Sequence, residues 1–286
     1  MKKVVSLLFI FIISLNLSAQ SLRVELKDLS NNMSKYKIID VRDSELYSLS
    51  HLPNALNLSV NLTYEHKKID GKITQPKKMQ KVLRDLGLDV NDNIVVYDDG
   101  TFFDAARVFW TLEVYGFKNV KLLNGGYSQW EKSNLPLTSK DTKITKSNYI
   151  ASIDNKRLAT KFSTQIATKN PKQVIIDARG YNAYIGKKSS AKRFGHIPRA
   201  IHIPAAHNID QSDKLAVLKS QDQLKELYKN VNKDEKVVIY CAIGRIATTN
   251  YFALRELGYN VSNYDASWRE WGNDFNLPIT NKSKKN

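Results

Sequence analysis

One cysteine, Cys241, stands in a chain of 286 residues. It ends the apolar run Val237-Val238-Ile239-Tyr240 and begins a short segment, Ala242-Ile243-Gly244-Arg245-Ile246, after which Ala247, Tyr251, Leu254 and Leu257 recur at helical spacing. The spacing predicts strand, tight loop and helix. In such a loop the thiol faces the backbone N–H groups of Ala242, Ile243, Gly244 and Ile246 and the positive end of the helix, an environment that favours a thiolate nucleophile. Arg245 adds a cation to the same loop. The commoner fate of a lone cysteine is to be a small buried hydrophobe, so its role depends on what the rest of the chain requires.

The N-terminus bears on that choice. Lys2 and Lys3, the apolar run from Val4 to Leu17 and the small-residue exit Ser18-Ala19-Gln20 have the pattern of a signal peptide over residues 1–19, with cleavage expected after Ala19. No second apolar run of that kind follows, so no stable membrane anchor is expected after cleavage, and the product is expected to be periplasmic or secreted. An unpaired thiol is a liability in an oxidising compartment unless it is buried or has a task.

The formal charge of +16 raises nucleic acid as a partner, but the lysines are scattered and accompany no recognition helix, zinc-knuckle spacing or aromatic stacking motif. A solvated basic surface that draws in a small anion accounts for them, and no nucleic acid partner is expected. None of the five histidines sits at metal-ligand spacing, and neither a metal nor an organic cofactor is expected.

The elements that must position Cys241 occur twice. Ile38-Ile39-Asp40-Val41-Arg42 returns as Ile175-Ile176-Asp177-Ala178-Arg179, His51-Leu52-Pro53 as His196-Ile197-Pro198, Ile94-Val95-Val96-Tyr97 as Val237-Val238-Ile239-Tyr240, and Leu135-Pro136-Leu137 as Leu277-Pro278-Ile279. Strands alternate with helices, predicted over 75–86, 103–115 and 126–132 in the first copy, so the fold class is α/β with a mostly parallel sheet in each copy. The expected organisation is a first domain over 22–137, a polar linker over 138–148, a second domain over 149–280 and a basic tail over 281–286.

The repeat separates scaffold from chemistry. Asp177 and His196 recur as Asp40 and His51 and are read as structural clips. Cys241 does not recur, and Asp98 holds its place in the first copy, which is therefore read as inactive. From aspartate to histidine the second copy is eight residues longer (nineteen positions against eleven), an insertion carrying Lys187, Lys188, Lys192 and Arg193.

Taken together these residues resemble the tandem rhodanese family, the thiosulfate and 3-mercaptopyruvate sulfurtransferases. Asp98-Asp99, Ala106-Arg107-Val108-Phe109-Trp110 and Leu122-Leu123-Asn124-Gly125-Gly126 are similar to its inactive N-terminal domain. Asp177-x-Arg179, Gly195-His196-Ile197-Pro198, Tyr240-Cys241-x-x-Gly244 and Tyr264-Asp265-x-Ser267-Trp268 are similar to its catalytic domain. The resemblance implies two tandem rhodanese-like domains and a double displacement. Cys241 takes a sulfane sulfur from a small anionic donor, thiosulfate or alternatively 3-mercaptopyruvate, and passes it as a persulfide to cyanide, a thiol or a thiol-carrying protein. It also implies that Arg179 and Arg193 hold the donor; Arg245 is added from its place in the loop.

Two departures stand out. Arginine is at the fifth loop position and Ile246 at the sixth, which bears on the donor, and Ala266 stands where the family has glycine, which is expected to shift that turn. A cysteine phosphatase would need arginine six positions beyond the nucleophile to close over a tetrahedral oxyanion, and Ala247 is there instead. The alternative from another class is a module that binds sulfur or a partner without turnover.

Overall fold

The computed structural model describes residues 21–210 and 216–283, so the expected signal peptide and the end of the tail lie outside the described residues. The first copy builds strands β1 (Arg23–Val24), β2 (Lys37–Asp40), β3 (Ala55–Asn57), β4 (Ile94–Tyr97) and β5 (Val120–Leu123) into one sheet in the order β1-β5-β4-β2-β3, every pairing parallel. Its helices are α1 (Leu26–Asn32), α2 (Ser44–Leu49), α3 (Pro76–Asp85), α4 (Phe103–Val114) and α5 (Gly126–Lys132).

The second copy repeats this with β6 (Leu158–Ala159), β7 (Gln173–Asp177), β8 (Ile201–His202), β11 (Lys236–Tyr240) and β12 (Val261–Tyr264) in the order β6-β12-β11-β7-β8, again parallel throughout. A small antiparallel pair, β9 (Ile209–Asp210) and β10 (Val217–Leu218), is inserted between β8 and β11. Its helices are α6 (Lys161–Ala167), α7 (Tyr181–Tyr184), α8 (Gln221–Leu227), α9 (Ala247–Glu256) and α10 (Ser267–Trp271). None of the described helices is long and apolar enough to cross a membrane.

Strands with helices on both faces bury both sets of alternating side chains, which is why they read as continuous apolar runs. In β4, Val95 and Tyr97 join the outer core of the first copy, while Ile94 and Val96 face a core shared by both copies. In β11 the same period sends Val238 and Tyr240 outward and Val237, Ile239 and then Cys241 into the shared core. The register thus aims the thiol at the boundary between the two copies.

That boundary is built by α4 and α9. Every residue of α4 from Ala105 to Val114 is buried, as expected of a helix packed on all sides. Phe109 meets Phe252 edge-on at 5.0 Å and Tyr251 at 6.4 Å. Polar contacts close the edges: Tyr251 Oη donates to Glu113 Oε2 at 2.5 Å, Arg255 pairs with Glu113, and Trp110 Nε1 donates to the Arg157 carbonyl at 2.9 Å.

The segment expected as a linker is strapped to the first copy. Thr138 pairs with His51, Thr142 Oγ1 donates to the Ala55 carbonyl, and Ser147 Oγ donates to that of Leu88. Tyr149 continues the strap, 2% exposed beside Phe117, so the second repeat has its own first strand only at β6.

Candidate active site

Cys241 lies just beyond the end of β11 and is 1% exposed. Its N–H donates to Ser267 Oγ at 3.0 Å, and its carbonyl accepts from the Trp268 N–H at 3.0 Å, tying it to the start of α10. The loop can turn there because Gly244 has φ +65°, and a Cβ on it would lie 2.5 Å from the Asp265 Cα. Gly71 of the first copy touches the other side, where a Cβ would meet the Ile243 carbonyl oxygen at 2.4 Å. Among the described residues, the N–H groups of Ala242, Ile243, Gly244, Arg245, Ile246 and Ala247 find no protein acceptor. They line the turn from Cys241 to the first residue of α9.

The first copy shows what such a loop does with an anion. Asp98 follows β4 as Cys241 follows β11, and its carboxylate accepts from the N–H groups of Gly100 at 2.8 Å and of Phe102, Asp104 and Ala105, each at 3.2 Å. A negative group on the residue in this position is thus held by the loop's own backbone and by the start of the following helix. Burial and the neighbouring Asp99 nevertheless push the Asp98 carboxyl up to about 6.

The three arginines expected around the thiol are disposed differently. Arg193 is engaged away from the loop: its guanidinium donates to the carbonyls of Gly272, Trp271, Asp274 and Leu277, so the insertion straps the end of α10. Arg179 is 4% exposed and pairs with Asp177 through Nε and Nη2, the latter at 2.6 Å, as Arg42 pairs with Asp40 in the first copy. Its Nη1 is buried without a partner. The guanidinium also packs 4.5 Å from the Trp268 ring, next to the Cys241 carbonyl's partner. Arg245 is not a free cation either, since Asp104 of α4 takes it bidentately, Nε at 2.5 Å and Nη2 at 2.7 Å. That carboxylate holds the guanidinium's proton more tightly than usual.

His196 sits in a clip that recurs in the first copy. Its Nδ1 lies 2.7 Å from the Tyr184 carbonyl and its ring stacks on Tyr184, as His51 does on Tyr47. Asp177 accepts from Tyr240 Oη at 2.6 Å, and Asp40 from Tyr97 Oη at 2.7 Å. The turn after β12 does depart from its counterpart. Gly125 of the first copy has φ +91°, whereas Ala266 in its place is right-handed. Ser267 stands in the left-handed region at φ +55°, matching Gly126 at +58°.

Two residues of the site were not anticipated, and both come from α4. Asp104 is one. The other is Arg107, fully buried, whose Nη1 donates to the Gly244 carbonyl at 3.0 Å while Nη2 donates to the carbonyls of Thr63 and Gly71. Burial lowers its hold on its proton. The sequence did carry a signal: two charged residues, one turn apart, in a helix that is otherwise apolar on its inner side. Among the described residues no group of three or more His, Cys, Asp or Glu is placed to hold a metal.

The rhodanese-like domain model matches residues 24–133 and again 158–274. The chain belongs to the rhodanese-like family. It is 30% identical to SseA of Mycobacterium bovis, provisionally named a thiosulfate sulfurtransferase, over 83% of this chain and 82% of that one. The 3-mercaptopyruvate sulfurtransferase of Escherichia coli K12 is 27% identical over 82% of this chain and 84% of its own. Among solved structures, the SseA 3-mercaptopyruvate sulfurtransferase of Escherichia coli superposes with a TM-score of 0.77 at 24% identity, covering 87% of this chain and 99% of that one. This tandem rhodanese protein is a sulfurtransferase.

Proposed function

We propose that the protein moves a sulfane sulfur from thiosulfate to a thiophilic acceptor, cyanide or a thiol, through a persulfide on Cys241. The observation that carries this is the Asp98 loop: the same turn, with cysteine in place of aspartate, offers backbone N–H groups to an anionic sulfur. In the first step the Cys241 thiolate attacks the sulfane sulfur of thiosulfate. The Cys–S bond to that sulfur forms, the S–S bond of the donor breaks, and sulfite leaves with the electron pair. The persulfide anion inherits the negative charge, and the loop N–H groups with the helix end stabilise it. Cyanide then attacks the outer sulfur, thiocyanate departs, and the thiolate is restored.

Thiosulfate is favoured by the likeness to the Mycobacterium bovis relative, provisionally named a thiosulfate sulfurtransferase. One observation supports 3-mercaptopyruvate instead. Asp104 compensates the charge of Arg245, which leaves the loop less attractive to a dianion. Acting after export, as residues 1–19 imply, the protein would begin at Gln20, which N-terminal sequencing of the secreted fraction checks.

The test is thiocyanate formation from thiosulfate and cyanide, beside pyruvate formation from 3-mercaptopyruvate and a thiol. Intact mass should gain one sulfur atom when donor is supplied without acceptor. Cys241→Ser should lose all turnover and the sulfur adduct while keeping the wild-type unfolding midpoint. Turnover retained in that variant would remove Cys241 from the mechanism. A wild-type protein that forms no adduct and turns over neither donor would favour the non-catalytic module.

A further inference from the structure

We propose that Asp104, a residue of the copy without the nucleophile, sets the charge that the Cys241 loop presents and thereby which sulfur donor the loop accepts. The inference rests on the reading of Cys241 as the sulfur carrier. Three observations lead to it. Arg245 is the one cationic side chain in the loop, and Asp104 engages it through two parallel bonds, Nε at 2.5 Å and Nη2 at 2.7 Å. The pair is only partly exposed, with side-chain accessibilities of 34% and 24%, so bulk solvent screens it incompletely.

Asp104 is itself fixed, because its N–H donates to Asp98 Oδ2 at 3.2 Å in the first turn of α4. The aspartate at the lost nucleophile's position therefore anchors the residue that restrains the arginine of the working loop. One turn further along α4, Arg107 holds the Gly244 carbonyl at 3.0 Å, so the same helix fixes both the shape and the charge of the loop.

The consequence is electrostatic selection. With Asp104 ionised, Arg245 contributes little net charge, and two of its donor groups are turned away from an incoming anion. A singly charged donor such as 3-mercaptopyruvate loses less by this than doubly charged thiosulfate, because the interaction with a fixed charge scales with the charge of the ligand. Asp104 is thus a specificity-determining residue acting through Arg245, and it sits in a different copy from the nucleophile.

Asp104→Asn tests this with two independent readouts. The ratio of kcat/KM for thiosulfate to that for 3-mercaptopyruvate should rise by about tenfold, and the thiosulfate rate should fall more steeply with salt. Arg245→Gln and the double variant should both lack that gain. The second readout needs no turnover: the ratio of Cys241 alkylation rates by iodoacetate, an anion, and iodoacetamide, its neutral analogue, should rise severalfold in Asp104→Asn and not in the double variant. An unchanged alkylation ratio overturns the inference whatever the kinetics do. A raised ratio in a protein that turns over no donor overturns the sulfur-transfer reading and leaves the charge-setting role standing. A Cys241 that neither reagent modifies has no approach for a donor, and both readings fall.

Discussion

Asp98 stands where a nucleophile would and holds a charge that its surroundings tolerate poorly. Its carboxyl is pushed up to about 6 from the ordinary 3.8, first by burial and then by Asp99, against the pull of its N–H bonds. An aspartate raised in the folded state binds a proton there that the unfolded chain releases. Folding is therefore favoured most below about pH 4, and that contribution fades as pH rises through about 6, by on the order of 3 kcal/mol in all. Urea unfolding at pH values from 4 to 8 should show the stability of wild type relative to Asp98→Asn falling with pH and levelling above 6. A difference independent of pH would mean that folding leaves the titration of Asp98 unshifted. That Cys241 and Asp98 occupy equivalent positions was legible because a duplicated chain compares its own copies. The contacts of the arginines were not legible, since sequence position says where a cation starts and not which acceptor claims it. Arg193 went to four carbonyls and Arg245 to a carboxylate 141 residues away.

At the scale of the element, the turn between β12 and α10 governs how firmly Cys241 is held. Ser267 occupies a left-handed backbone at φ +55°, a conformation that costs a non-glycine residue about 1 kcal/mol or more. Its hydroxyl accepts from the Cys241 N–H at 3.0 Å and donates to the Tyr264 carbonyl at 2.7 Å, so the strain accompanies a link between strand end and loop. Ser267→Gly keeps the backbone permissible, as Gly126 does in the first copy, and removes only the link. The expectation is a stability change within about 1 kcal/mol, from relief of strain against loss of two hydrogen bonds, with kcat reduced about tenfold and KM little altered. Equal losses in stability and in both kinetic constants would mean that the hydroxyl serves the fold alone. Strands and helices were readable because period 2 and helical spacing are local; the helices predicted over 75–86, 103–115 and 126–132 formed at Pro76–Asp85, Phe103–Val114 and Gly126–Lys132. The shift of the turn at Ala266 was readable from the missing glycine, whereas the path of the insertion depended on contacts about eighty residues away and was not.

Over the whole molecule, the two copies share one inner core, and the thiol lies in it. Ile94, Val96 and Phe109 of the first copy belong to the same apolar cluster as Val237, Ile239, Cys241 and Phe252 of the second. Arg23 of β1 pairs with Glu256 of α9, Arg269 of α10 donates to the carbonyls of Lys67 and Lys68, and the Ile73 N–H donates to Asp265 at 2.6 Å. A core held in common should couple the stability of both copies. Phe109→Ala should remove about 3 to 5 kcal/mol, the usual cost of truncating a buried phenylalanine. Followed through Trp130 in the first copy and Trp271 in the second, each as the sole tryptophan, unfolding should give one shared midpoint in the parent and one lower shared midpoint in the variant. The substitution lies in the first copy, so a midpoint that moves at Trp130 and stays fixed at Trp271 would mean that the copies fold independently. Asp104 and Arg107 would then meet the Cys241 loop only through docking of two separate units, and sulfur transfer should survive in conditions that unfold the first copy.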